Sequence, residues 1–350
     1  MPPLLIRTAG NQPLMPVLFQ PQIEVMEHPN LPTIPKTYVD VETQRLPFIE
    51  ANTKEVTLSH LREDCIVPVF SKNNEITISH ADFIASVYEA ACTVFPTERI
   101  SNPSVRVSHI IKGRIPEAIH KPVKELLDSD KTIYYERMMF CFEIPSISED
   151  VNGNRLNLTI GGVRAYNHEN LYSKKTFEKF KIFIGFKNLV CCNLCVSTDG
   201  YKSELKVMCV SEIARAAMEL FRSYDMEKHL MFMESYRNSS LSESQFAHFV
   251  GRSRLYQYLP TAEKKQIPQL LLTDTQISSV ARSYFHDENF AAGKDEKEIS
   301  LWKFYNLLTG ANKSSYIDDF LDRSLNATQI VNGLSDALLY GDNGYSWFLR

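Results

Sequence analysis

A chain of 350 residues, 44% hydrophobic and 23% charged, has the composition of a globular protein with room for a large core. Its net charge of -4 excludes a whole-molecule attraction to nucleic acid or acidic membranes, so any basic contact surface is local. No run approaches the roughly 18 apolar residues of a membrane span, and seven irregularly spaced cysteines point to free thiols in a reducing cytoplasm rather than a disulfide framework.

Eight of the 17 prolines lie between Pro2 and Pro35. Proline lacks a backbone donor and restricts the residue before it, so residues 1–50 are expected to form an extended arm. A frayed terminus and an arm wrapped on a neighbouring subunit both fit this texture. The start, "MPPLLIRTAGNQPLMP", is too broken by proline to read as a secretory signal.

Residues 51–210 read as an α+β sheet domain. "SHADFIASVYEAACTVF" has a cap at Ser79 and apolar residues at Phe83, Ile84, Val87, Ala91 and Val94, which is helical spacing. Candidate strands follow at 104–111, 132–144, 155–166 and 177–194. "VNGN" (151–154) supplies an Asn-Gly hairpin signal, and "TDGYKS" (198–203) reads as the next turn. Gly161-Gly162 inside a strand predicts a bulge or a close backbone approach. Residues 211–350 read as mainly helical: "SEIARAAMELFRSY", "SESQFAHFVGRSRLYQYL", "TDTQISSVARSYFHDE" and "SYIDDFLDRSLNATQIVNGLSDALL", the last with Ser315 and Asp318 in capping-box order. The fold expected is a largely antiparallel sheet with packed helices, followed by a helical region.

The segment "KKTFEKFKIFIGFKNLVCCNLC" carries the most information. Strand side chains alternate faces, so Phe180, Ile182, Ile184 and Phe186 form an apolar face for burial. The odd face gathers Lys175, Phe177, Lys179, Lys181, Phe183 and Lys187. Lysines release counterions from phosphates, and an aromatic ring gives any base a stacking platform. This face, with Arg164 and Tyr166 nearby, is therefore the candidate site for single-stranded nucleic acid. Lysines on an outer strand face also serve simply to guard an edge.

Other chemistries find less support. Cys191, Cys192 and Cys195 lack a second ligand pair at zinc spacing, so neither a metal nor a cofactor is expected. No HExxH, GxSxG, GxGxxG or complete phosphate loop occurs, which argues against an enzyme. Asp318, Asp319 and Asp322 are read as first-turn acids complementing a helix dipole. "IGGVRAYNHENLY" offers Arg164, Tyr166, Asn167 and His168 as an alternative ligand site.

"RVSHIIKGR", "HKPVKELLDSDKTIYYERMMFCFEIP", "NGNRLNLTIGGVRAYNHENLYSKK" and "LWKFYNLLTGANKSSYIDDFLDRSLNATQ" resemble the bacterial family called domain of unknown function 3871, from about residue 50 to the C-terminus. That resemblance implies no activity and no catalytic residues. "VCCNLC" and "LWKFYNLLT" also resemble a strand element and a helix of domain of unknown function 932, through Cys191, Cys192, Asn193, Trp302, Tyr305 and Asn306. This second likeness implies a phage- or plasmid-type mobile-element protein working around DNA replication, recombination or defence. The expected function is thus a non-catalytic, oligomeric, single-stranded DNA-binding protein, with annealing as one role that fits. The alternative is a protein-interaction module with a host partner, acting on defence or replication.

Overall fold

The computed structural model describes residues 47–66, 77–118, 120–168, 177–293, 297–341 and 343–350. The arm expected over residues 1–50 lies outside them up to residue 46. In the first half, β1 (Lys54–Glu55) and α1 (Leu58–Glu63) precede α2 (His80–Val94). Then come β2 (Ser104–Arg114), β3 (Lys131–Val151), β4 (Asn154–Ala165), β5 (Glu178–Asn188) and β6 (Leu194–Val207). The helical half holds α3 (Val210–Ser223), α4 (Met226–Ser235), β7 (Ser240–Ser242), α5 (Glu243–Tyr258), α6 (Thr261–Lys264), α7 (Asp274–His286), β8 (Glu298–Ser300), α8 (Leu301–Asn312) and α9 (Ile317–Tyr340).

Local chemistry sets several of these boundaries. Ser79 and Asp82 satisfy each other's backbone N–H groups and start α2. Asn152 and Gly153 both adopt positive φ, 50° and 80°, the conformation a two-residue hairpin needs between β3 and β4. Asn152 Nδ2 then donates to the Met233 carbonyl at 2.8 Å, and Trp302 Nε1 donates to Asn154 Oδ1 at 2.8 Å. The hairpin tip is thereby tied to α4 and α8.

The first six strands form one antiparallel sheet in the order β1-β2-β3-β4-β5-β6. Each strand pairs with its sequence neighbour, as a chain of hairpins should. One face carries Phe140, Phe142, Ile160, Phe180, Ile182 and Phe186 and shares the larger core with Phe83 and Val87 of α2 and Ile213 and Leu220 of α3. That core continues into Phe249, Phe304 and Val331, so sheet and helical half are bound by common packing. The second face carries Met139, Cys141, Val163, Phe183 and Val196, covered by Phe48 and Ile49 and by Ile317, Phe320 and Leu321 of α9.

Gly161 and Gly162 are a close approach rather than a bulge. A Cβ on Gly161 would lie 2.1 Å from the Phe140 oxygen, and one on Gly162 would lie 2.5 Å from the Phe83 ring. Their pairing with Cys141 and Phe140 runs through without a shift.

Three expectations are corrected. The strand read as 177–194 ends at Asn188, and the chain reverses over Leu189–Asn193 with Cys192 at φ 56°. "TDGYKS" lies inside β6: Phe183 pairs with Tyr201 and Gly185 with Val196, so Ser197–Gly200 bulge opposite Ile184 alone. The Asp-Gly pair marks that bulge, not a hairpin turn. Ser315 does not cap α9, whose N-cap is Tyr316. Its hydroxyl is buried and instead donates to Asn312 Oδ1 at 2.6 Å while accepting from Gln276 and Arg323.

Candidate nucleic-acid interface

Strand β5 buries its even face as its alternation predicts. The odd face is covered as well, from Lys181 onward, because the start of α9 lies across it. Lys181 Nζ donates to Asp322 Oδ2 at 2.7 Å and to the Asp318 carbonyl at 2.6 Å, and Tyr201 donates to the other Asp322 oxygen at 2.7 Å. Phe183 is 0% exposed, a core residue of the second face. Lys187 is 5% exposed; its Nζ donates to Glu143 Oε1 at 2.7 Å, while Asn157 donates to Oε2 at 2.9 Å. Burial works against the Lys187 charge, but the negative groups around it outweigh burial and hold its pKa above the usual lysine value.

Arg164 and Tyr166 are also interior. The Arg164 guanidinium donates to the Ile78 carbonyl at 2.9 Å and pairs with Glu178. It lies 4.4 Å from the centre of the Tyr166 ring and 4.2 Å from that of Phe180. Glu178 in turn accepts from the Ile78 N–H at 3.1 Å, and Tyr166 donates to the Ile78 carbonyl at 3.2 Å. The group anchors the chain entering α2. His80 packs against Tyr166 with ring centres 4.8 Å apart, and burial, helped by Arg164, pushes its pKa down to about 3.

Phe183, Lys187, Arg164 and Tyr166 are therefore corrected as contacts for nucleic acid: their polar atoms and rings are spent inside the protein. Lys181 is engaged by α9. Lys175 lies outside the described residues. Phe177, just before the strand, is 54% exposed, and Lys179, half-buried, stands directly opposite Lys206 of β6. Lys206 pairs with Glu204 at 3.2 Å.

Beside Lys179 opens a cleft of about 570 Å³ between the sheet and the start of α9, lined among others by His168, Lys179, Lys181, Glu204, Asp318 and Asp322. His168 Nε2 lies 3.2 Å from Asp318 Oδ2, and Arg137 lies 3.7 Å from Asp318 Oδ1. Cations and carboxylates both line the cleft beside Val163, Ala165 and Phe180, so it carries charges of both signs on a partly apolar wall. The cluster read as Arg164, Tyr166, Asn167 and His168 is thus split: the first two are buried on the helix-packed side and His168 faces the cleft. Sequence reading missed Asp318 and Asp322 as sheet partners. Their i, i+4 spacing put them on one helix face, and that was the available signal.

Two short motifs meet in space. Asn188 Nδ2 donates to Asn306 Oδ1 at 3.1 Å, Asn193 Nδ2 donates to the Asn306 carbonyl at 3.0 Å, and Cys191 Sγ lies 3.7 Å from Asn306 Oδ1. All three asparagines are buried, so this is a joint between the β5–β6 turn and α8. Burial pushes the Cys191 thiol up to about 11 and Cys195 up to about 12. Among the described residues no group of three His, Cys, Asp or Glu could hold a metal, and no helix is long and apolar enough to cross a membrane.

The family model described as "Domain of unknown function, B. Theta Gene description (DUF3871)" matches residues 35–349, nearly the whole chain. The chain belongs to this family. The DUF3871 match therefore spans the sheet, the cleft and the α8–α9 region alike. No curated protein and no solved structure matches the chain significantly. Membership in DUF3871 names no ligand, and the family match does not extend to domain of unknown function 932.

Proposed function

We propose that this DUF3871 protein binds single-stranded nucleic acid without catalysing a reaction, at the open end of β5. The observation that carries the reading is the exposed Phe177 ring two residues before Lys179, which lines the cleft. An exposed phenylalanine beside lysines gives a base its stacking partner and the adjoining phosphates their counter-charge, without reading sequence. Lys206, paired with Glu204, stands opposite Lys179 and places a second lysine on the neighbouring strand. The setting in phage or plasmid DNA metabolism rests on the motifs shared with domain of unknown function 932.

The test is fluorescence anisotropy with labelled single- and double-stranded oligonucleotides over a salt series. Tighter single-strand binding that weakens with salt is expected. Phe177→Ala should remove about 1–3 kcal/mol of binding, and Lys179→Glu with Lys206→Glu should remove most of the salt dependence. No binding at low salt overturns the reading.

A second reading, a docking module for a host protein, is favoured by the exposed Leu255, Tyr258, Phe285 and Tyr340 in the helical half. Capture of one specific host protein after nuclease treatment, lost on Tyr258→Asp, would support it over the first.

A further inference from the structure

Strand β1 pairs with β2 only at Lys54↔Val107 and Glu55↔Arg106. Two residues later His109 takes φ 57°, a left-handed backbone that non-glycine residues rarely adopt and that bends the strand. Ile110–Arg114 then continues against Tyr135–Lys131 of β3 on one side. Among the described residues no strand pairs with its other side, which leaves a row of backbone donors and acceptors open. Apolar side chains gather on this same hairpin: Ile110 is 54% exposed, and Val123 and Leu127, in the connection to β3, are 74% and 63% exposed.

We infer that this edge pairs with the same edge of a second copy of the chain, antiparallel about a two-fold axis at Ile111. A two-fold joint is self-complementary, so each residue meets its mirror position. A two-fold axis that keeps the two sheets' faces continuous must pass through a residue, and charge selects which. Centred on Lys112, the axis sets two ammonium groups directly opposite each other, which destabilises a strand pair. Centred on Ile110, it sets Arg106 opposite Arg114 and collides with β1. Centred on Ile111, it sets Ile110 against Lys112 of the second copy, Ser108 against Arg114, and Ile111 against itself. No cation then faces a cation. His109, with its bent backbone, meets Gly113, which has no side chain to obstruct it. The exposed Ile110 is covered by the lysine stem of its mate, as long charged side chains readily do.

The full-length protein should sediment as a dimer, and Ile110→Lys should sediment as a monomer that still unfolds cooperatively, its midpoint lowered only by the lost association, since the position is exposed. Register is read by oxidative crosslinking in a Cys209→Ser background. Opposed residues in an antiparallel pair lie about 4.5–5.5 Å apart at Cα, within disulfide reach. Ile111→Cys should therefore form a covalent dimer, and Ile110→Cys, facing Lys112, should not. A monomer at every concentration overturns the proposal, as does a dimer in which Ile111→Cys stays uncrosslinked or Ile110→Lys still associates. The joint does not depend on the nucleic-acid reading, and a monomer that binds oligonucleotide would sink this proposal alone.

Discussion

Replacing Lys187 with methionine keeps an unbranched side chain one atom shorter and removes its ammonium. The native ammonium is 5% exposed and 2.7 Å from Glu143, itself buried between Lys187 and Asn157. Lys187→Met leaves the Glu143 carboxylate in the interior without its counter-charge. Breaking one side of a buried pair costs about 3–5 kcal/mol, a large part of the roughly 5–15 kcal/mol that holds a native protein together. With a urea slope of about 2–3 kcal/mol per molar, the unfolding midpoint should fall by about 1–2 M. Removing both partners, as Glu143→Leu with Lys187→Met, should recover much of this loss, because an apolar pair has no charge to desolvate, less the roughly 1–3 kcal/mol for the Asn157 amide left without its acceptor. Urea unfolding followed by circular dichroism measures all three proteins. The double variant separates the pair from mere packing loss. If Lys187→Met unfolds at the parental midpoint, or the double variant is no better than the single, the pair is not the buried, mutually dependent contact described above. Oligonucleotide affinity of the folded Lys187→Met protein should stay unchanged.

The two phenylalanines of the β5 odd face should behave oppositely. Phe183→Ala, in the core, should cost about 3–5 kcal/mol of stability, while exposed Phe177→Ala should stay within about 0.5 kcal/mol; paired thermal melts check this. Acid should weaken the fold through its buried histidines. Burial lowers His80 to about 3 and His229 to about 4, against an ordinary 6.5. Between 6.5 and those values the unfolded chain binds protons that the native state refuses, so stability falls as pH falls. At pH 5 the loss is about 2 kcal/mol for each histidine. Urea midpoints at pH 7.5 and 5 measure the fall, and an imidazole resonance from either residue titrating near 6.5 in the native protein would refute the cause.

Features set by nearby residues were legible in the sequence. The Ser79 cap, the Asn152-Gly153 turn and the apolar even face of β5 follow from spacing within a few positions. The fate of the odd face was not legible. Lys181 finds its carboxylate 141 positions away at Asp322, and no local pattern announces that α9 will cross the sheet there. Alternation told which residues share a face but not whether solvent or a helix would lie over it. The same limit explains the Asp-Gly pair in β6: a turn signal is equally a bulge signal, and only the register against β5 distinguishes them. Ser315 stood in the right order for a cap, yet its hydroxyl is claimed by Gln276 of α7 and by Arg323 from further along α9 itself.

The late arrival of α9 matters while the chain is still being made. The ribosome completes β6 at Val207 roughly 110 residues before it reaches Ile317, an interval of about 5–20 s at ordinary elongation rates. Throughout it the second face of the sheet, with Met139, Phe183 and Val196, lacks the part of its cover that Ile317, Phe320 and Leu321 of α9 supply. Lys181 and Lys187 interrupt that apolar surface, and charges flanking a sticky strand discourage it from joining its neighbours. A lysine whose mature role is to grip Asp322 serves the nascent chain first as a gatekeeper.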